Sequence, residues 1–182
     1  AGAKDGGTLR SSMRSDPKGF NWLLENSVDV RNLQYKVHNS IAVRDRQKPE
    51  NYTPELAYKV TVSPDFKEYT VYIRKGVMWH VPALPNLSDD KYKWLREPKE
   101  LKAEDFKFYF DMIKNPQTEV AAARAYYADV DRVEILDDYS FKVIWKKKTT
   151  QSISATLSAY PMPKWLFTKN EDGTDIEEAT LG

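Results

Sequence analysis

Two histidines, His38 and His80, and a few adjacent carboxylates are the side chains in this sequence whose types suit chemistry. Zinc and hydrolytic sites set histidines or carboxylates at short repeats such as i and i+4, so that one helix face carries both. The histidines lie 42 residues apart, and neither has a partner at such a spacing. The pairs Asp89-Asp90, Asp137-Asp138 and Glu177-Glu178 sit in polar, turn-like stretches, where neighbouring carboxylates are ordinarily solvated. Glu104-Asp105 has another explanation, because both fall in the first turn of an expected helix, where the macrodipole favours negative charge. No Gly-x-Ser-x-Gly, phosphate-binding loop or Gly-x-Gly-x-x-Gly occurs, and no nucleophile stands beside a base. The expectation is no catalytic residue, no metal ligand, no cofactor and no enzyme. Trp79-His80, at the end of Gly76-Val-Met-Trp-His80, stays open between a ligand platform and the end of a buried strand.

The elements that would position these residues are legible in part. Tyr58 to Val62 alternates, Ser63-Pro64-Asp65 turns, and Tyr69 to Arg74 alternates again, which predicts two strands joined as a hairpin. Thr8 to Met13 is a further short-strand candidate, and Asp16-Pro-Lys-Gly19 a turn. Val28, Leu33, Tyr35 and Val37 predict a short helix ending near Asn39-Ser40. Phe106, Tyr109, Phe110 and Ile113 form one apolar stripe, so Ala103 to Ile113 is the strongest helix, stopped by Asn115-Pro116. Lys102 stands where a Ser, Thr or Asp cap is expected, and a missing cap costs roughly 1 kcal/mol. Residues 81–100 hold three prolines and ten charged, Asn or Ser positions, and read as a long exposed loop. Glu119 to Ala128 and Ser152 to Ser158 are short helical candidates. Asp131 to Ile135 and Phe141 to Trp145 are strands around a turn at Asp137-Asp138, and Lys146-Lys-Lys148 is a solvated strand end. The last twelve residues read as loosely structured.

Composition narrows the function classes. The 182 residues are 41% hydrophobic, enough for one sizeable core or two small ones. With Lys+Arg 28 against Asp+Glu 27 and no long basic run, no nucleic-acid footprint is expected. Without cysteine there is no disulfide, thiolate site or cysteine nucleophile. Apolar runs fall far short of a membrane span, and no basic-then-apolar leader opens the chain.

The order of the segments adds more than any one of them. Gly-Gly-Thr-Leu-Arg is followed by PELAYKVTVSPDFKEYTVYIRKGVMWH, LKAEDFKFYFDMIKNP, YYADVDRVEILDDYSFKVIW and PMPKWLF. This order resembles the N-terminal part of the family 5 extracytoplasmic solute-binding proteins, the peptide-binding components of ABC importers. Pro54, Leu56, Ala57, Ser63, Asp65, Tyr69, Thr70, Arg74, Gly76, Val77, Trp79 and His80 match the family pattern in order. Ala103, Asp105, Phe106, Val133, Glu134, Asp137 and Asp138 continue it. The departures are Val81-Pro82 in place of Asp-Gly, a longer loop after His80, Lys102 in place of a threonine cap, and Val60 in place of a large residue.

The resemblance implies a mixed α/β fold of the type II periplasmic-binding-protein kind, a bilobed molecule that closes on its ligand. This sequence would be the first part of lobe one plus the β-rich subdomain, with the second lobe missing. On that view residues 1–7 are a flexible lead-in and 8–45 the first segment of lobe one. Residues 46–160 are then the subdomain with helix 103–113, and 161–182 a truncated start of the return. Trp79 is expected to pack between the sheet and the Phe106/Phe110 face, with His80 marking the strand exit. The lobe-one side of the pocket is expected at Glu25, Asn26, Ser27 and Val28, where main-chain groups would hold an extended peptide. The implied partners are a peptide or other small solute and the importer's permease subunits. Membrane contact is expected only through the permease or a lipid anchor, with a monomer in the periplasm or at the cell surface. Nickel, sugar or opine binding on the same fold is the alternative solute. The rivals of another class are a protein-interaction module using loop 81–100 and an enzyme with its groups elsewhere in a longer protein.

Overall fold

The computed structural model describes residues 6–8, 10, 12, 16–21, 23–25, 27–81 and 86–176. They fall into two compact units, residues 1–38 and 39–182.

The first unit is built around helix α1, Val28–Val37, where the Val/Leu/Tyr spacing predicts it. Ser27 is its N-cap, with Oγ accepting from the Val30 amide at 3.4 Å, and Asp29 and Lys36 lie where the dipole favours each. The strand candidate at 8–13 is not a strand where it is seen. Leu9, Ser11 and Met13 lie outside the described residues, and Thr8, Arg10 and Ser12 have no regular structure.

The second unit opens on a two-stranded antiparallel pair, β1 (Ala42–Arg44) with β2 (Tyr52–Pro54). A four-stranded antiparallel sheet comes next: β3 (Ala57–Val62), β4 (Glu68–Ile73), β5 (Val130–Asp137) and β6 (Ser140–Trp145), in the order β3-β4-β6-β5. The alternation read in the sequence becomes a buried face. Tyr69 pairs with Val143 and Val71 with Phe141, and all four are buried. The opposite face carries Glu68, Thr70 and Lys142, with a Lys142–Glu68 ion pair at 2.8 Å.

Two helical pieces, α2 (Lys93–Arg96) and α3 (Ala103–Lys114), precede β5, and α3 covers the β5/β6 half of the sheet. Its apolar stripe supplies Phe106, Tyr109, Phe110 and Ile113 to the core, and Phe106 stacks on Phe141 with ring centroids 5.0 Å apart. Behind it, the Tyr109 hydroxyl donates to that of Tyr127 at 3.3 Å, and Tyr127 donates to the Ala155 carbonyl at 3.2 Å. Burial pushes the Tyr127 phenol up to about 12. Short helices α4 (Ala121–Tyr126), α5 (Ser152–Leu157) and α6 (Lys164–Phe167) complete the unit.

The missing cap at Lys102 is compensated from within the helix. Asp105, in the first turn, reaches back with its carboxylate to the Lys102 amide at 3.0 Å, doing half of a capping box from the other side. Residues 86–100, within the stretch read as a loop, are more ordered than a loop. Asp90–Tyr92 forms a 3-10 turn that runs into α2, and Leu95 is buried. This excursion is tied to the turn at 171–173. Lys91 Nζ pairs with Glu171 at 2.8 Å, and Trp94 Nε1 donates to the Glu171 carbonyl at 3.3 Å. The Trp94 ring meets Trp165 edge-on at 6.2 Å. The described part of the tail is therefore a tight turn closed by a Lys169–Asp175 bridge, not a loose end. Residues 177–182 lie outside the described residues.

Candidate functional site

Residues 76–80 do not continue β4. The strand ends at Ile73, the chain turns at Gly76 (φ +75°), and 77–79 then pairs with 99–101. The Val77 carbonyl accepts from the Leu101 amide at 2.8 Å, and the Trp79 amide donates to the Lys99 carbonyl at 2.9 Å. Trp79 is half-buried, and its indole Nε1 donates to Asp105 Oδ2 at 3.2 Å. His80 is exposed. The Trp79–Asp105 bond ties segment 77–80 to the start of α3.

Asp105 is the joint that sequence reasoning passed over. It is 3% exposed, and three N–H groups converge on its carboxylate: Lys102 N and Trp79 Nε1 on Oδ2, and Lys164 N on Oδ1 at 3.1 Å. Its own carbonyl accepts from Met162 N at 3.0 Å. One residue thus fixes α3, segment 77–80 and segment 162–164 to each other. Burial pushes its carboxyl above the usual range, against the pull of the three donors. The available signal was its place in the Ala103-x-Asp105-Phe106 match.

The expected ligand segment, Glu25 to Val28, lies in the first unit at the start of α1. Asn26 lies outside the described residues. The Glu25 amide donates to the Asn21 carbonyl at 2.8 Å, and the Ser27 amide donates to Glu25 Oε1 at 2.8 Å. Ser27 Oγ caps the helix and its carbonyl accepts from the Arg31 amide at 3.0 Å. Glu25 and Ser27 therefore spend their polar groups on shaping the segment. Val28, at the first helical position, is 75% exposed. An amide in that position has no partner within the helix itself.

A concavity of about 490 Å³ lies in the second unit between α3 and β5. Phe108 and Ile135 contribute apolar surface, and its rim is a set of ion pairs: Lys102–Asp138 at 3.1 Å, Lys107–Asp111 at 2.6 Å and Lys164–Glu104 at 3.4 Å. The Tyr139 hydroxyl at 2.7 Å, with the carboxylates beside it, holds the Lys102 ammonium above its usual range. The cleft neutralises itself and has no excess charge to offer a ligand. Among the described residues, no three His, Asp or Glu side chains come together as a metal cage, and His38 lies below its usual range through burial.

The chain belongs to the bacterial extracellular solute-binding proteins, family 5, whose middle-region model matches residues 51–182. The Escherichia coli dipeptide-binding protein is 34% identical over 110 residues, which are 60% of this chain and 19% of that protein. The ABC transporter substrate-binding protein CtaP of Listeria monocytogenes superposes with a TM-score of 0.72 at 23% identity, over 92% of this chain and 30% of its own. The oligopeptide-binding protein AppA of Bacillus subtilis, solved with a nonapeptide, gives 0.67 at 21% identity, over 84% and 27%. The fold is thus that of the periplasmic binding proteins, and the chain spans less than a third of the length of these relatives. The family is one of solute binders, not of enzymes. No helix among the described residues is long and apolar enough to cross a membrane.

Proposed function

We propose that this chain is part of the peptide-binding component of an ABC importer, non-enzymatic and monomeric, working in the periplasm or at the cell surface. Permease subunits receive the solute from it. The observation that carries the reading is the 34% identity to a dipeptide-binding protein within a family shown by its own model. In this reading residues 8–45 are the first segment of lobe one, 46–160 the β-rich subdomain, and 161–182 the start of the return. Glu25, Asn26, Ser27 and Val28 form the lobe-one contact, Val28 and Asn26 meeting the ligand and Ser27 and Glu25 holding the loop. Main-chain contacts of this kind give affinity with little regard to side chains. The family name specifies a solute rather than a peptide, so another small solute on the same fold is the second reading.

Hydrogen exchange of the full-length protein, with and without a mixed peptide library, tests both parts. Slower exchange at the Asn26–Asp29 amides on peptide addition is the expected result. Peptide binding that leaves these amides unchanged would refute the site and keep the function. No response to any peptide, with protection by nickel or an opine, would move the function to the second reading.

A further inference from the structure

The turn between β3 and β4 is built to hold an aromatic ring out of the protein. Phe66 has φ +59°, the single non-glycine residue with positive φ among the described residues, in a conformation glycine adopts freely and an aromatic residue rarely does. Its side chain is nonetheless 47% exposed rather than tucked into the core. The turn is stiff. Ser63 Oγ accepts from Lys67 N at 3.2 Å and Glu68 N at 2.9 Å, and Asp65 Oδ1 accepts from Ser63 Oγ and from Lys67 N. The buried Tyr69 donates its hydroxyl to the Phe66 carbonyl at 3.2 Å, which fixes the strained residue from below.

Around the ring stands the basic run that ends β6. The Trp145 amide donates to the Lys67 carbonyl at 2.8 Å, so Lys146, Lys147 and Lys148 emerge beside the turn, all three exposed. Lys148 Nζ sits 4.0 Å from the Phe66 ring centroid. Two carboxylates oppose the four lysines: Asp65, occupied within the turn, and Asp129, 3.2 Å from Lys147. Glu68 is taken by Lys142. The patch is therefore cationic around a projecting aromatic, on a chain whose overall charge is near zero.

We propose that this turn and the Lys146–Lys148 run form a peripheral contact for an anionic lipid bilayer, with Phe66 entering the headgroup boundary and the lysines meeting the phosphates. A surface that is both negative and apolar just below its charges fits that pattern, whereas a soluble acidic partner leaves the ring without a function. This contact is direct, beyond the expected association through a permease or lipid anchor, and does not depend on which solute is bound.

The test is sedimentation of the full-length protein with vesicles of equal phosphatidylglycerol and phosphatidylcholine, and with phosphatidylcholine alone. Binding to the anionic vesicles only is expected. The triple variant K146Q/K147Q/K148Q should weaken it on the order of a hundredfold, at about fivefold per lysine. The control triple K36Q/K48Q/K93Q removes the same charge elsewhere and should leave binding nearly intact. Phe66→Gly suits the backbone at that position, so its expected loss of about tenfold reports the ring and not misfolding. These 182 residues have no cysteine, so a fluorophore on Pro64→Cys, in a version of the protein with any cysteine elsewhere replaced, is unique and should shift to the blue on anionic vesicles. Absence of binding, equal losses in the two triple variants, or equal binding to soluble polyglutamate with no blue shift would each overturn the proposal.

Discussion

Asp105→Asn removes a charge and almost nothing else, and the geometry of the site sets its cost. Three N–H donors converge on the carboxylate, two on Oδ2 and one on Oδ1. The asparagine amide offers one oxygen. Its better orientation serves Lys102 N and Trp79 Nε1, and turns the NH2 group against the Lys164 amide. That leaves two buried donors facing each other, at about 1–3 kcal/mol for an unsatisfied buried group. Relief from burying a charge offsets part of this, so the net loss is about 2 kcal/mol, or roughly 1 M in the urea midpoint at an m-value of about 2 kcal/mol/M. Asp105→Ala, which strands all three donors, should cost more. The pH dependence has a definite sign. A carboxyl whose folded value is raised contributes most below the unfolded value, near 3.9. That contribution falls away as pH rises through the raised folded value, because the native state there holds the proton more tightly. The stability difference between wild type and Asp105→Asn should therefore narrow as pH rises through that window and then level off. Urea unfolding monitored by tryptophan fluorescence, repeated across pH, reads all of this. An Asp105→Asn variant within about 0.5 kcal/mol of wild type would show that the carboxylate does not join the three segments.

Two further perturbations probe the long-range ties. At Gly173 (φ +86°) a Cβ would lie 2.6 Å from the Trp94 ring, so Gly173→Ala should cost about 1–3 kcal/mol and open the 86–97 excursion to trypsin at Lys91, Lys93 and Arg96. Unchanged proteolysis would mean that the turn does not anchor the excursion. Glu55 gathers Ser40 N at 2.7 Å, Ser40 Oγ at 3.0 Å and Asn39 Nδ2 at 3.2 Å where the chain enters the second unit. Glu55→Ala should lower stability by about 1–3 kcal/mol, seen as a fall in thermal midpoint, and Glu55→Gln by less. Equal midpoints for Glu55→Ala and wild type would argue against this anchor.

Local chemistry was legible in the sequence and long-range chemistry was not. The hairpin and the Phe106-to-Ile113 stripe were readable because a period of two or 3.6 is written in neighbouring residues. The turn at 76 was not, since alternation through Met78 and His80 looks like more of the same strand until Gly76 takes positive φ. Asp105 was hidden by a sufficient local explanation: a carboxylate in a first turn needs no further partner, and Trp79 and Lys164 are 26 and 59 residues away. The Lys91–Glu171 tie is one of many possible pairings in a chain that is 30% charged, and nothing local selects it. At the proposed ligand segment, the Ser27 cap is dictated by residue type, whereas the capture of the Ser27 amide by Glu25 depends on a turn conformation that composition does not specify.

The most direct test of the central claim is native mass spectrometry of the full-length protein, purified without refolding. The account predicts co-purified peptides, a ladder of masses that disappears on denaturation. A single small solute or metal in their place, or no bound mass together with no binding to a peptide library, would contradict it.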